Sequence, residues 1–366
     1  MMEKTGESKD MNSDMIRRRS ILLSGAALAL TGPGLVSRAL AQDGAQITGA
    51  GASFPNPLYQ KWGEAAKSKI GLQLNYQSVG SGAGQAQIRN RTVDFGASDA
   101  PMTAALLTQN NLLQFPATMG SLVAIVNLPG VTDNQVKLTG DILADIYLGK
   151  ITKWNDPRIA AHNAGVDLPN LAIAVVYRAD GSGTTYVWVS YLSAVSEEWK
   201  TKVGAATSVK WPTGNGARGN EGVAAAVRNT RGAIGYVENA YATQNKLTAT
   251  QLRNKAGNFV EPNAVSFLAG AAAADWNVAN FAANLIDTAG PTAWPIVAPT
   301  FILIPTNPTD AARAANVLKF FDWCFKNGDQ ITKDLEYIPL PDSVKTTVRA
   351  AWAQVKTTDG KPIWAG

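Results

Sequence analysis

Eight consecutive residues, from Arg178 to Thr185, combine a guanidinium group, a carboxylate, three hydroxyls and two glycines. They follow an apolar run over residues 171–177 that predicts a strand, and they precede residues 186–192, whose spacing favours a helix. A small polar turn that opens a helix presents free backbone N–H groups and a partial positive charge, which suits an anion. The segment therefore predicts an oxyanion cradle, although an ordinary capped turn with Arg178 on the surface is the simpler interpretation.

Gly-rich turns with hydroxyl groups recur nearer the start of the chain. One follows a predicted strand and contains Ser53, and a second follows the next predicted strand and contains Ser81. A third strand, over residues 93–97, ends at Asp99. Helices are expected to begin at Asn56 and near Gln85. This alternation of strand, turn and helix predicts a parallel α/β sheet with its ligand at the carboxyl ends of the strands.

The sequence contains few of the residues and motifs that enzymes use for catalysis. The chain has a single histidine, His162, and a single cysteine, Cys324, which is too few for a catalytic triad or a His/Cys zinc centre. No serine has glycine at both −2 and +2, so the nucleophile elbow of hydrolases is missing. Residues 214–219 match G-x-G-x-x-G, but no convincing strand leads into them, and we interpret the match as fortuitous. We expect neither a metal nor another cofactor.

The N-terminal segment has the features of an export signal. Three arginines, residues 17–19, precede about ten mostly apolar residues, and Ala39-Leu40-Ala41 forms an A-x-A cleavage site. The arginine pair resembles a twin-arginine signal, with the general secretory route as the alternative. Residues 1–41 are therefore predicted to be removed by cleavage after Ala41. No cysteine lies near that point, so no lipid anchor is expected, and the predicted destination is the periplasm.

Length and composition indicate a globular protein of one large or two ordinary domains. The 366 residues allow two ordinary domains, and 46% hydrophobic against 17% charged residues excludes a disordered chain. The formal net charge of +5 comes without a run of Lys or Arg beyond residue 41, so nucleic acid is not indicated. Apolar stretches predict crossings between the lobes near residues 122–127 and 296–303. The predicted organisation is lobe I from 42–122 plus 300–366, and lobe II from 123–299.

Several segments, in their order and spacing, resemble the periplasmic phosphate-binding proteins of ABC-type phosphate importers. They are residues 48–55, 94–101, 178–184, 232–238 and 319–323. The resemblance implies a two-lobed, cluster-type (type II) periplasmic binding fold, in which each lobe is a mixed, mainly parallel sheet flanked by helices. It also implies a cleft between the lobes that holds one inorganic phosphate, and transmembrane permease subunits as the partner. We expect a monomer.

The family's ligand residues can be placed on this sequence by motif position. Asp180 falls where the family has the acid that pairs with the arginine; from the sequence alone, a helix N-cap is an equal alternative. Ser53 stands where the family often has threonine, and either residue supplies a hydroxyl. The implied phosphate ligands are Ser53, the backbone N–H of Phe54, Ser81, Asp99, Arg178, Ser182, Gly183 and Thr184.

Asp99 is unexpected in an anion site, because a carboxylate repels an anion. At 4 Å and an effective dielectric constant of 20 the repulsion is roughly 4 kcal/mol. If the ligand keeps a proton, however, the carboxylate accepts a hydrogen bond from it. Asp99 then favours phosphate over sulfate, which has no proton at neutral pH, although a role in shaping the turn is an open alternative. A receptor for sulfate, molybdate or arsenate and a secreted phosphatase are the alternative functions.

Overall fold

The strands of the protein fall into one large sheet and one small sheet. The structure is a computed structural model that describes residues 45–364, so the predicted export signal lies outside the described residues. The strands are β1 Gln46–Gly51, β2 Gln73–Ser78, β3 Phe95–Ser98, β4 Leu112–Val126, β5 Lys137–Leu138, β6 Ala174–Arg178, β7 Asn215–Ala217, β8 Ala233–Glu238, β9 Thr248–Ala249, β10 Gln251–Arg253, β11 Phe259–Val260 and β12 Val297–Pro305.

Helices cover the faces of the large sheet and begin where several strands end. They are α1 Asn56–Ile70, α2 Ser81–Arg89, α3 Ala104–Gln109, α4 Gly140–Tyr147, α5 Pro157–Ala160, α6 Gly183–Val195, α7 Glu197–Lys202, α8 Gly219–Asn229, α9 Asn239–Gln244, α10 Ala264–Ala271, α11 Ala311–Asn327, α12 Asp329–Asp334 and α13 Asp342–Ala351. Short 3₁₀ turns occupy Ala279–Phe281 and Trp352–Gln354. Within residues 45–364, every helix is too short or too polar to span a bilayer.

The nine-stranded sheet has the order β2-β1-β3-β12-β4-β8-β6-β7, and β9 pairs with the end of β4 on the edge opposite β8. Pairing is parallel among β2, β1 and β3 and among β8, β6 and β7. The two central strands, β12 and β4, run antiparallel to their neighbours. A separate small sheet has the order β11-β10-β5. The predicted α/β class, a mixed sheet flanked by helices, is confirmed.

Strand β4 changes its partner along its length. Residues 112–121 pair with β12, and residues 122–126 pair with β8. Each half of β4 thus connects to a different group of parallel strands. The first half reaches β3 through β12, and the second half reaches β6 through β8. The change of partner falls where the sequence predicts the first crossing between lobes. The lobe boundaries themselves stay a prediction.

Two clusters of aromatic side chains hold the helices against the sheet. One cluster packs α1 and α11 onto the β1–β3 region, and the other packs α4 and α6 onto β8. Cys324 is buried beside the first cluster, as its apolar neighbours predict. Edge-to-face and stacked rings of this kind bury large areas and fix the orientation of the elements that carry them. The clusters are Tyr59, Tyr76, Phe95, Phe115 and Phe321, and Tyr147, Trp188, Trp211 and Tyr236.

Three predicted elements differ from the observed ones. Helix α2 begins at Ser81 rather than near Gln85, because the preceding Gly80 adopts a φ of 91° and lets the chain turn directly into the helix. Strand β4 begins at Leu112, whereas the continuous apolar run that predicts it covers only residues 121–128, because Gln114, Pro116 and Thr118 interrupt the hydrophobic pattern before that run. Short strand β7 lies inside the G-x-G-x-x-G match and runs parallel to β6. Residues 214–219, whose match to a dinucleotide motif is interpreted as fortuitous, are therefore part of a strand-to-helix turn.

Candidate anion-binding site

The turn between β6 and α6 is built around a helix N-cap. Ser182 is the capping residue, and its hydroxyl accepts a hydrogen bond of 2.9 Å from the backbone N–H of Thr185. This bond satisfies one of the free N–H groups at the start of α6. Gly183 and Thr184 are the first two residues of the helix, and both are buried. The positive end of the α6 dipole therefore lies inside the protein.

Arg178 ends β6 and is clamped by Asp180. Its Nε donates to Asp180 Oδ1 at 2.7 Å, and its second amino group donates to Oδ2, so the pair is bidentate. The Arg178 side chain is 1% exposed. Its remaining amino group donates to Thr184 Oγ1 at 3.2 Å. Of the two roles that the sequence allows Asp180, the structure assigns the arginine partner, since Ser182 caps the helix.

The ion pair settles the protonation of both partners. Burial alone would lower the pKa of Arg178, but the hydrogen bonds and the charge of Asp180 raise it above its ordinary value. Burial would raise the pKa of Asp180, but the hydrogen bonds and the charge of Arg178 lower it. A further hydrogen bond reaches Asp180 from the backbone N–H of Gly219, at 3.2 Å. The guanidinium is thus a fixed positive charge beside the first turn of α6.

The turn between β1 and α1 supplies Ser53 and Phe54. Both are buried, and the Phe54 ring meets the Tyr337 ring edge-on. Two phenols fix the backbone of this turn: Tyr241 donates to the Ser53 carbonyl and Tyr337 to the Phe54 carbonyl, each at 2.6 Å. Among residues 45–364, the backbone N–H of Phe54 has no hydrogen-bond partner. It is therefore free to donate to a ligand.

Ser81 and Asp99 adjoin each other at the ends of neighbouring elements. Ser81 opens α2, and its hydroxyl accepts a hydrogen bond from the backbone N–H of Asp99 at 3.2 Å. Asp99 follows β3 and is 2% exposed. Its Oδ1 accepts from the Thr300 hydroxyl at 2.8 Å, whereas its Oδ2 is buried without a partner in the described part of the chain. A buried oxygen of this kind points to a missing donor.

The pKa of Asp99 is raised from its ordinary value to about 7. Burial is the main cause, since it disfavours the charged carboxylate. The hydrogen bond from Thr300 and the charge of Arg178 oppose this rise. Asp99 therefore titrates near neutral pH, in contrast to Asp180, which stays ionised.

These turns come from distant parts of the sequence and meet in one place. A Cβ atom added to Gly183 would lie 2.4 Å from Ser81 Oγ and 2.6 Å from Asp99 Oδ2, so only glycine fits there. The backbone N–H of Gly82 donates to the Gly181 carbonyl at 2.8 Å. The structure thus brings together every site residue named from the sequence: Ser53, Phe54, Ser81, Asp99, Arg178, Asp180, Ser182, Gly183 and Thr184.

Two further residues contact the site and were not expected from the sequence. Asn220, at the start of α8, donates through Nδ2 to Ser53 Oγ at 2.9 Å and to Thr184 Oγ1 at 3.0 Å. The adjacent Gly-rich segment, residues 214–219, could have indicated this residue, but its pattern resembles a dinucleotide motif. Thr300 lies in the middle of β12, where nothing in the sequence distinguishes it from other strand residues.

The chemistry of this group of residues suits a protonated anion. Hydroxyls, a guanidinium and helix N-termini are hydrogen-bond donors, whereas Asp99 Oδ2 is an unpaired acceptor. Residues 45–364 contain no group of three or more His, Cys, Asp or Glu side chains that could hold a metal ion. The donors and the single unpaired acceptor together suit a small tetrahedral oxyanion that carries a proton.

The class of protein is defined by the match of residues 36–327 to the PBP superfamily domain. Two relatives are the phosphate-binding proteins PstS of Pasteurella multocida, 53% identical over 89% of this chain and 95% of its own, and of Haemophilus influenzae, 49% identical over 84% and 92%. The chain therefore belongs to the PstS family of phosphate-binding proteins. The solved phosphate-binding protein of Stenotrophomonas maltophilia shares the fold, with a TM-score of 0.63 at 23% identity over 84% of this chain and 93% of its own.

Proposed function

We propose that this protein is a receptor that binds inorganic phosphate with high affinity and delivers it to the transmembrane subunits of an ABC-type permease. The observation that carries the proposal is Asp99 Oδ2, a buried acceptor without a partner among residues 45–364, placed beside hydroxyl donors and the first turn of α6. Phosphate-binding PstS proteins that cover most of the chain support the same ligand.

The donors account for affinity. Phosphate oxygens accept hydrogen bonds from the hydroxyls of Ser53, Ser81, Ser182 and Thr184, from the backbone N–H groups of Phe54, Gly183 and Thr184, and from Arg178. The guanidinium is held in place by Asp180 before the ligand arrives, so little side-chain entropy is lost on binding. The anion also lies at the positive end of α6.

The acceptor accounts for selectivity. Phosphate keeps at least one proton near neutral pH, and its P–OH group can donate to Asp99 Oδ2. Sulfate has no proton to donate, so it would leave this oxygen unpaired and repel its charge. Arsenate and phosphate carry the same kind of proton, so Asp99 does not separate them. Molybdate, like sulfate, is disfavoured by the same argument.

The cellular setting follows from the predicted export signal. After cleavage following Ala41, residues 42–366 would work in the periplasm, without a lipid anchor and as a monomer. The two predicted lobes, 42–122 plus 300–366 and 123–299, would close on phosphate and present one combined face to the permease. Closure of the two predicted lobes on phosphate is consistent with the site, since its residues come from both of them.

Calorimetric titration of the mature protein with phosphate and, separately, with sulfate tests the proposal. We expect tight binding of phosphate and no heat from sulfate at neutral pH. Absence of phosphate binding at micromolar protein would refute the proposed ligand.

Asp99→Asn tests the selectivity argument in the same titrations. The amide removes the negative charge, so we expect phosphate to bind about 10- to 100-fold more weakly and sulfate to begin to bind. Asp94→Asn, at an acid that pairs with Arg313 outside the site, is the matched control and should leave both titrations unchanged. If Asp99→Asn still rejects sulfate, the carboxylate is not the selective group.

A further inference from the structure

Asn220 is the one buried amide that contacts hydroxyls on both sides of the site in the described part of the chain. It is fully buried in the first turn of α8. Its backbone N–H donates to Ser53 Oγ at 3.1 Å, and its Nδ2 donates to the same oxygen at 2.9 Å. The same Nδ2 donates to Thr184 Oγ1 at 3.0 Å. Asn220 therefore links the turn after β1 to the start of α6.

The orientation of the Asn220 amide is determined by its other contact. Oδ1 accepts a hydrogen bond of 2.8 Å from the backbone N–H of Glu238. A backbone N–H can only donate, so the atom that faces it must be the amide oxygen. The NH₂ group is then obliged to face Ser53 and Thr184. The end of β8 thus fixes which end of the amide meets the hydroxyls.

The consequence for the two hydroxyls follows from counting lone pairs. A hydroxyl oxygen has one hydrogen to donate and two lone pairs that accept. Ser53 Oγ accepts from both the backbone and the side chain of Asn220, and Thr184 Oγ1 accepts from Asn220 and from Arg178. Both oxygens have their acceptor capacity filled. Each hydroxyl hydrogen must therefore point away from these donors.

We propose that Asn220 is a positioning residue that makes Ser53 and Thr184 obligatory donors to the bound anion, an inference that rests on the proposed phosphate-binding function. Without Asn220, each hydroxyl could rotate and present a lone pair to the anion, which is repulsive. With it, both hydrogens are aimed before the ligand arrives, so the site is preorganised. The hydrogen bonds from Asn220 to Ser53 and Thr184 can form only when the two sides of the site lie together.

Two substitutions at this position separate the roles of the amide. Asn220→Ala removes the donors and should weaken phosphate binding about 10- to 100-fold, the range for hydrogen bonds to a charged group. Asn220→Asp should be worse at neutral pH, because the introduced carboxylate accepts from both hydroxyls and turns their hydrogens away from the ligand. Its affinity relative to the unsubstituted protein should recover as pH falls and the carboxylate is neutralised. A merely structural role predicts no such recovery.

A buried amide elsewhere provides the control. Asn163 is 4% exposed, and within residues 45–364 its side-chain amide bonds only to the backbone of Lys137 and Ile159, outside the site. Asn163→Ala and Asn163→Asp should lower thermal stability and leave phosphate affinity and its pH profile unchanged. Equal affinity losses from the Asn163 and Asn220 variants would overturn the proposal, since both would then act through folding alone.

A double-mutant cycle completes the test, measured by calorimetry on folded protein. In a Ser53→Ala, Thr184→Val background the further effect of Asn220→Ala should shrink to within about twofold, because no hydroxyl remains to be oriented. A full additional loss, or wild-type affinity for Asn220→Ala alone, refutes the positioning role. Failure of the unsubstituted protein to bind phosphate refutes instead the proposed function. The two failures are therefore distinguishable.

Discussion

The two acids of the site, the buried Asp99 and the half-buried Asp180, behave in opposite ways. Asp180 pairs with Arg178 through both oxygens, and its pKa is lowered. Asp99 meets only the neutral hydroxyl of Thr300, and burial raises its pKa to about 7. A cationic partner makes the difference, because it compensates the cost of burying a charge whereas a hydroxyl compensates only part of it.

The comparison assigns a separate task to each side. The side with α6 and Arg178 attracts any oxyanion, since its charge and donors do not depend on the ligand's proton. The side with Asp99 accepts only an anion that brings a hydrogen to Oδ2. The proposed function therefore assigns selectivity to Asp99 alone and most of the affinity to the side with α6 and Arg178.

The largest effect is expected at Arg178. Arg178→Ala removes the guanidinium that would bind the anion and leaves the Asp180 carboxylate uncompensated beside it, and removing a charged hydrogen-bond partner of this kind costs about 2–5 kcal/mol, or roughly 30- to 5,000-fold in phosphate affinity. Arg178→Lys keeps the charge but loses the bidentate fork, so it should recover part of the affinity. Sulfate should remain unbound by both variants in calorimetry. Binding of sulfate by either one would contradict the assignment of selectivity to Asp99.

Arg313 offers the matched control for Arg178. It makes a bidentate pair with Asp94, at 2.8 Å for each bond, but its side chain is 47% exposed and lies outside the site. Arg313→Ala should change phosphate affinity less than twofold. A loss comparable to that of Arg178→Ala would mean that the arginine effect is one of fold stability.

The pH dependence of stability should reveal Asp99. Its pKa in the folded protein, about 7, lies above the value near 4 of an unfolded chain. The folded protein thus binds the extra proton, and the stabilisation is complete below about pH 4 and is lost as pH rises through about 7. Without phosphate, the free energy of unfolding should fall over this range by roughly 4 kcal/mol at most from this group.

Asp99→Asn isolates that contribution in denaturant titrations without phosphate. Other buried acids titrate too, and burial also raises the pKa of Glu238, so the difference between the two proteins is the quantity to measure. The difference should change between pH 4 and pH 7 and be constant above about pH 8. A difference that does not vary with pH would mean that Asp99 keeps an ordinary pKa.

The smallest effect is expected at Thr300. Its hydrogen bond lowers the pKa of Asp99, so Thr300→Val should raise that pKa further and move the pH-dependent loss of stability upward. Loss of this hydrogen bond corresponds to about 0.5–1.5 kcal/mol, so the midpoint of the pH-dependent loss of stability should shift by about one pH unit at most. Thr118→Val, at a buried hydroxyl that bonds only to backbone carbonyls, should not move the midpoint. An unchanged midpoint for Thr300→Val would contradict the hydrogen bond as a cause.

Sequence reasoning succeeded where chemistry is local. The turn from Arg178 to Thr184 contains its own strand end, cap and cation within a few residues, and its neighbours in sequence are also its neighbours in space. The contacts of Asn220 and Thr300 with the site were not predicted, because they depend on residues more than thirty positions away. The predicted start of α2 was wrong for a related reason, since Gly80 lies where a Cβ atom would meet Asp180, which is distant in the sequence.

The sequence by itself determined the alternation of strands and helices, the hydroxyl-rich turns at the strand ends and the shortage of catalytic groups, because hydrophobic period and residue type are written along the chain. Only the tertiary structure decided that Asp180 clamps Arg178, that Asp99 keeps one oxygen unpaired, and that Asn220 orients two hydroxyls from different turns. Hydrogen-bond partners and burial are properties of the packed chain, since they depend on which turns the sheet brings together.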